Sequence, residues 1–346
     1  MSNFKLWTFG FTTLVFLFSI FSCDNENIAE IPPIKIQRFE LDLKSFDTAN
    51  FEASERKMID KYGEVYSFYI EKLMDLGSLQ INHRYYYKPY LINFLAEEYP
   101  SIMDTFEKYI FKDIEHIETD LTKSYARLCA EFPEKKPSIV YSFFISPMGA
   151  NPASAFTYGK DTVGFNWFNY LGKEFPLYTS LYEGYNYMIE WNQREYIVRN
   201  IMLVEYNLLL EASKENKEYS EVVYNMIEKG KEFYYLDKVC PYLKDEVKIG
   251  YTEAQYKWCE ENEFEIWAYL KENKVLYSAE AMDIKKLTEA GPNTPGMPSE
   301  SPGMVGAWTG WQIVKAYQSK YNKSLKELLN TSPKEILKNS NYKPTK

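Results

Sequence analysis

The chain has 346 residues, with 40 basic and 49 acidic side chains and a formal net charge of -9. No Lys/Arg block is long enough to follow a phosphate backbone, which disfavours nucleic acid as a partner. Length is ample for a core and admits one large or two small domains. Aromatic content is 17 %, with 31 Tyr and 22 Phe, so part of the tyrosine is expected at surfaces where an apolar ring and a polar tip both serve.

The first element is a leader. Lys5 precedes an apolar run from Leu6 to Phe21, followed by Ser22 and Cys23, and a secretory core needs about 7–15 apolar residues where a spanning helix needs about 20. Ile20 lies three before and Ser22 one before Cys23, the pattern of a lipoprotein signal cleaved ahead of an acylated cysteine, although Phe21 is bulky for it. An uncleaved anchor helix is the other reading, and either one tethers the protein to a membrane. Residues 1–22 are thus read as signal peptide and 23–33 as a short acidic tether ending in Pro32-Pro33.

Ile34, Ile36, Phe39, Leu41 and Leu43 alternate as a strand that changes face once, with a bulge near Arg38. From Asn50 to Phe132 the pattern is helical, with breaks expected near Gly77 and Pro100. Ser138 to Ile145 reads as a strand, and Ala153–Tyr158 with Thr162–Trp167 as a hairpin turning at Gly159-Lys160-Asp161. Ile197, Ile201, Val204 and Leu208 then form one helical stripe, and another helix covers Ser220 to Tyr235. Thr252 with Gln255 caps a helix expected to run through Leu270, and Ser332-Pro333-Lys334-Glu335 opens another. Between them, glycines and prolines crowd residues 291–303 ahead of Gly306-Ala307-Trp308-Thr309-Gly310-Trp311. A helix there would place Gly306 and Gly310 on one face for close packing, with Trp308 and Trp311 as candidates for a partner-binding surface.

The GxSxG, P-loop, GxGxxG and DxDxDG patterns do not occur in the sequence. With only two histidines, His83 and His116, a His-rich zinc site cannot be built, and no cofactor is expected. The order hairpin, helix, later helix is similar to that of zincin proteases, whose HExxH helix supplies two imidazoles and a glutamate. Val204-Glu205-Tyr206-Asn207-Leu208 keeps only the glutamate. Glu205 and Glu228 are therefore low-ranking acid/base candidates, more simply read as solvated helix residues. Glu263 joins them, because it shares a helical face with Tyr256, Cys259, Ile266, Trp267 and Leu270. Once Cys23 carries lipid, Cys129, Cys240 and Cys259 remain, either as three buried thiols or with Cys240 bridged to Cys259.

The segments Ile36-Gln37-Arg38-Phe39-Glu40-Leu41-Asp42, Tyr158-Gly159-Lys160-Asp161, Ile249-Gly250-Tyr251-Thr252, Trp258-Cys259-Glu260-Glu261-Asn262-Glu263, Ser301-Pro302-Gly303, Gly310-Trp311-Gln312-Ile313-Val314 and Tyr342-Lys343-Pro344 give the chain its likeness. It resembles the gliding-motility lipoprotein GldB family of Bacteroidetes over nearly its whole length, and Cys23 matches that family's acylated position. The resemblance implies a lipid-anchored cell-envelope protein, working with motility or linked secretion proteins and carrying no known reaction. Asp24 and Glu26 after the cysteine leave periplasmic and surface faces both open. The expected fold is α+β, a predominantly helical single domain over 34–346 with a small sheet, and a degenerate zincin-like core is one architecture the element order allows. A non-catalytic role through protein partners is favoured, with an envelope hydrolase using carboxylate acid/base groups as the alternative.

Overall fold

The computed structural model describes residues 28–77, 84–110, 114–145, 154–183, 185–212 and 220–344. Its sheet has four strands, β1 (Gln37–Arg38), β2 (Ile139–Phe143), β3 (Ala155–Thr157) and β4 (Thr162–Asn166), in the order β1-β2-β4-β3. β1 runs parallel to β2 and β2 parallel to β4, whereas β3 pairs antiparallel with β4 in the expected hairpin, Phe156 opposite Gly164. Gly164 is required there. A Cβ on it would sit 2.5 Å from a Phe156 ring carbon and 2.8 Å from one of Phe143, so only glycine lets both rings close over the strand.

The long strand expected over Ile34–Leu43 is instead two residues of strand followed by a helix, Phe39–Lys44. The change of face was the signature of a change of period. Ile34 and Ile36 are buried at a spacing of two, and Phe39 and Leu43 at a spacing of four. Upstream, Ala29 N–H donates to the Ala126 carbonyl (3.0 Å), Ile34 N–H to the Thr122 hydroxyl (2.9 Å) and Ile36 N–H to Glu118 (3.0 Å). The chain thus enters the fold lying along a helix.

That helix, α1 (Ile114–Glu131), packs with α2 (Glu195–Ala212) and α3 (Val222–Val239), and α3 lies against α4 (Val305–Tyr321) in the most extensive helix pairing among the described residues. Small residues make the closeness possible. A Cβ on Gly310 would fall 1.8 Å from the Met226 carbonyl oxygen, and one on Gly230 2.3 Å from the Gly310 carbonyl oxygen. The close packing expected of Gly306 and Gly310 is therefore the observed arrangement. Helices occupy most of the described residues between Asn50 and Phe132, and Pro100 does not break the run. A π-helical turn over Phe94–Glu98 runs directly into the Tyr99–Ile110 helix, and such a local widening of the helix is how a proline without an N–H is accommodated inside a continuous run. The capping box at Thr252 and Gln255 is formed in both directions, yet its helix stops at Glu261 and a second begins at Glu263. Asn262 turns its side-chain amide onto the Trp258 carbonyl at 2.8 Å and breaks the run expected through Leu270.

Candidate functional site

The three candidate carboxylates lie at three separate places, Glu205 and Glu263 taken up by partners from other elements and Glu228 by a lysine of its own helix. Glu205 is fully buried on α2. Its Oε1 accepts from the Tyr125 hydroxyl at 2.7 Å and the Ser138 hydroxyl at 2.5 Å, and its Oε2 lies 2.7 Å from Lys135 Nζ. Burial, and then the charge of Glu205, push the Tyr125 phenol and the Cys129 thiol above their ordinary pKa values. Glu228 accepts from Lys231 Nζ at 2.8 Å, and the same buried ammonium donates to the Thr331 carbonyl at 2.7 Å. Glu263 accepts from the Tyr342 hydroxyl at 2.7 Å, with the Trp267 ring edge-on to Tyr342 at 5.2 Å. The solvated helix residues expected at Glu205 and Glu228 are thus replaced by engaged groups. Glu205 faces donors supplied from far along the chain, whereas Glu228 stays partly exposed and pairs with Lys231 one turn on in its own helix.

A cleft of about 270 Å³ lies between β3 and α2, lined by Ser154 and Ala155 on one side and by Arg199, Asn200, Leu203 and Val204 on the other. In the zincin arrangement two helix residues one turn apart face the edge strand and hold zinc. Here the residues at that spacing are Arg199 and Leu203, a fixed cation and an aliphatic group, with Asn200 standing where the motif has its glutamate. The glutamate of Val204–Leu208, the segment compared with that motif, does not line this cleft. Five residues past Asn200, Glu205 is rotated about 140° around the helix and faces the core.

Arg199 donates from Nε to the Lys248 carbonyl (3.0 Å) and from Nη1 to Asn200 Oδ1 (2.8 Å), while Asn200 donates to the Tyr170 hydroxyl (2.8 Å). Trp191, also on the cleft, donates to the Gly250 carbonyl at 2.8 Å. Both side chains therefore grip the end of the Asp245–Ile249 helix, which Gly250 closes at φ +87°. The next residue, Tyr251, donates its hydroxyl to the Gly303 carbonyl at 2.6 Å, drawing the glycine-proline loop onto this turn. Two of the segments that carry the family likeness meet here.

Trp308 and Trp311 are buried, at 1 % and 0 % exposure, and offer no surface to a partner. The helix that carries them is wrapped on several sides instead of one. Trp311 donates to Asp237 Oδ2 at 2.8 Å and lies under Lys315 Nζ, 3.8 Å from the ring centre. Around it Lys248 Nζ bonds both Asp237 and Asp245 at 2.8 Å, and Lys315 reaches Asp245 at 3.1 Å. Burial opposes the Asp245 charge, but Lys248 and Lys315 outweigh it and hold the carboxyl below its ordinary pKa. For Lys248 burial is likewise outweighed by Asp237 and Asp245, and its pKa is raised.

The sequence reading missed this network and a second buried pair. Glu40, with no exposed surface, accepts from Arg38 Nε, the Ser142 hydroxyl (2.8 Å) and the Trp167 indole N–H (3.2 Å). Burial raises the Glu40 carboxyl pKa in spite of Arg38. Two opposite charges within the apolar segment Ile34–Leu43 were the available signal. Cys129, Cys240 and Cys259 are free and buried, so Cys240 and Cys259 are not bridged, and burial lifts the Cys240 thiol to about 12. His116 is exposed, 3.2 Å from Asp120. Cys23 and His83 lie outside the described residues.

Among the described residues no three His, Cys, Asp or Glu side chains gather as metal ligands, and no helix is long and apolar enough to cross a membrane. No curated protein and no solved structure matches the chain. A family model described as gliding motility protein GldB matches residues 22–344, nearly the whole length, and the chain belongs to that family.

Proposed function

We propose that this protein is a lipid-anchored envelope component of the gliding apparatus or its linked secretion machinery, held by acylated Cys23 and acting through protein partners without catalysing a reaction. Family membership associates it with gliding motility. The observation that favours a non-catalytic role is the placement of the carboxylates. Glu205 and Glu263 are engaged by donors from distant elements and Glu228 by Lys231 of its own helix, so the three do not converge, and the cleft beside β3 presents Arg199 and Leu203 where a zincin would need imidazoles. An acid/base enzyme needs its groups within reach of one substrate atom. Residues 1–22 then serve as the export signal and 23–33 as the tether, with two or more acyl chains giving stable attachment.

Membrane fractionation of cells carrying Cys23→Ala tests the anchor. The variant is expected to lose its lipid label and leave the membrane fraction, and to fail to restore surface movement to a strain lacking the protein. An acylated, membrane-bound Cys23→Ala protein would refute the lipoprotein reading. Full function from a soluble form would refute the envelope-component reading.

A further inference from the structure

Arg199 carries a charge that no carboxylate contacts among the described residues, its guanidinium lying 5.8 Å from the centre of the Tyr196 ring. Its hydrogen-bond partners are two neutral oxygens, Lys248 O and Asn200 Oδ1. A guanidinium has five N–H donors, and these contacts engage two nitrogens. Arg199 is half-buried and lines the cleft, which puts its guanidinium within reach of a group bound there. Burial pulls the Arg199 pKa below its ordinary value, against the attraction of Glu232, as expected of a cation without a contact counter-ion.

We propose that the cleft between β3 and α2 binds a carboxylate, held by the Arg199 guanidinium, with the apolar part of its carrier against Ala155, Leu203 and Val204. The planar fork matches a carboxylate in bidentate geometry. A single negative charge suits the site better than a phosphate dianion. Glu232 already acts on Arg199, and Glu195, Glu190 and Glu246 act on the neighbouring Tyr196 ring, in a chain of net charge -9. The site is also preorganised, because Arg199 and Trp191 are fixed on the Lys248–Gly250 turn and Asn200 is fixed on Tyr170. The carrier is either a small free acid or the C-terminal end of a polypeptide, and both offer the same group. This inference is independent of the lipid anchor and of the envelope partners.

Isothermal titration of the full chain in detergent tests it with four probes: butyrate, N-acetyl-Leu-Val with a free carboxylate, the same peptide amidated, and inorganic phosphate. The free-carboxylate peptide is expected to bind saturably and amidation to weaken it by about tenfold or more. Arg199→Lys, which keeps the charge and loses the fork, should weaken binding by about tenfold. Val204→Phe should abolish it by filling the cleft, leaving the Arg199 contacts and the melting temperature in place. Butyrate binding as tightly as the peptide identifies a free acid, and a preference for the peptide identifies a polypeptide end. Absence of saturable binding by either carboxylate, phosphate binding at least as tightly, or an unchanged affinity in Val204→Phe overturns the proposal.

Discussion

Gly310 has no room for a methyl group. The 1.8 Å between its would-be Cβ and the Met226 carbonyl oxygen means that Gly310→Ala must separate α3 from α4. A loss of about 3 kcal/mol is expected, at the upper end of overpacking costs, and a urea midpoint at the wild-type value would contradict it. The Arg38–Glu40 pair makes a second residue-scale test. Glu40→Leu leaves the Arg38 guanidinium beside Trp167 without its carboxylate and should cost about 3 kcal/mol, whereas Arg38→Met with Glu40→Leu together should cost much less. Denaturant curves of the two singles and the double close the cycle, and additive losses would show that the residues act separately. The apolar neighbours of Glu40 and Glu205 were legible in the sequence, but their polar partners were not. Ser142 lies 102 residues beyond Glu40, and Tyr125 80 residues before Glu205, and a helical pattern carries no information about donors so far away.

Lys231 shows at the scale of elements how the C-terminal region is held. Its ammonium reaches from α3 to the carbonyls of Leu329 (3.4 Å) and Thr331 (2.7 Å), closing the end of the Leu325–Asn330 helix and fixing the start of the Pro333–Ser340 helix. Lys231→Met removes this tie while keeping the stem packed. Hydrogen exchange should then quicken across 325–340 with little change in β2 or β4. Uniform acceleration over the molecule would mean that the residue supports global stability instead. Elements themselves were largely readable where their period was steady, as in the β3–β4 hairpin, the capping box at Thr252 and the N-cap at Ser332, whose hydroxyl accepts from Glu335 N–H without the reciprocal bond of a full box. They were misread where the period changed within a few residues, at Phe39, or where a side chain competed with its own helix, at Asn262. On α2 the expected stripe included Val204 and Leu208, but the buried face carries Met202, Glu205 and Tyr206. A buried carboxylate counts as polar in any hydropathy pattern, so Glu205 rotated the predicted face away from the true one.

Across the described residues, several tyrosines serve carboxylates that are buried, as at Glu55 and Glu205, or half-buried, as at Asp42, Asp245 and Glu263. Tyr87 donates to Glu55, Tyr62 to Asp42, Tyr125 to Glu205, Tyr256 to Asp245 and Tyr342 to Glu263, so aromatic rings fill the core while their hydroxyls solvate carboxylates. Tyr86, Tyr90, Tyr185 and Tyr277 remain exposed. The expectation of surface tyrosine thus described only part of the set. Charge inside the fold also sets its pH response. Because folding lowers the Asp245 pKa, its contribution is present above the ordinary aspartate value of about 3.9 and is lost as pH falls through the lower folded value. Folding raises the Lys248 pKa, so that contribution is present below the ordinary lysine range and is lost as pH rises through the folded value. Asp245→Asn should therefore flatten the acid limb of a stability-pH curve, and an acid limb as steep as wild type would place the sensitive group elsewhere. The proposal that joins these scales is a rigid domain on a lipid anchor whose work is done through partners. Chemical cross-linking of the tagged, Cys23-intact chain in native membranes, followed by mass spectrometry of what it captures, tests it most directly. Recovery of motility or secretion proteins, with the same set captured by a Glu205→Gln variant that still folds, is the predicted result. A chain that captures no envelope protein and instead turns over a substrate in a Glu205-dependent manner would contradict the account.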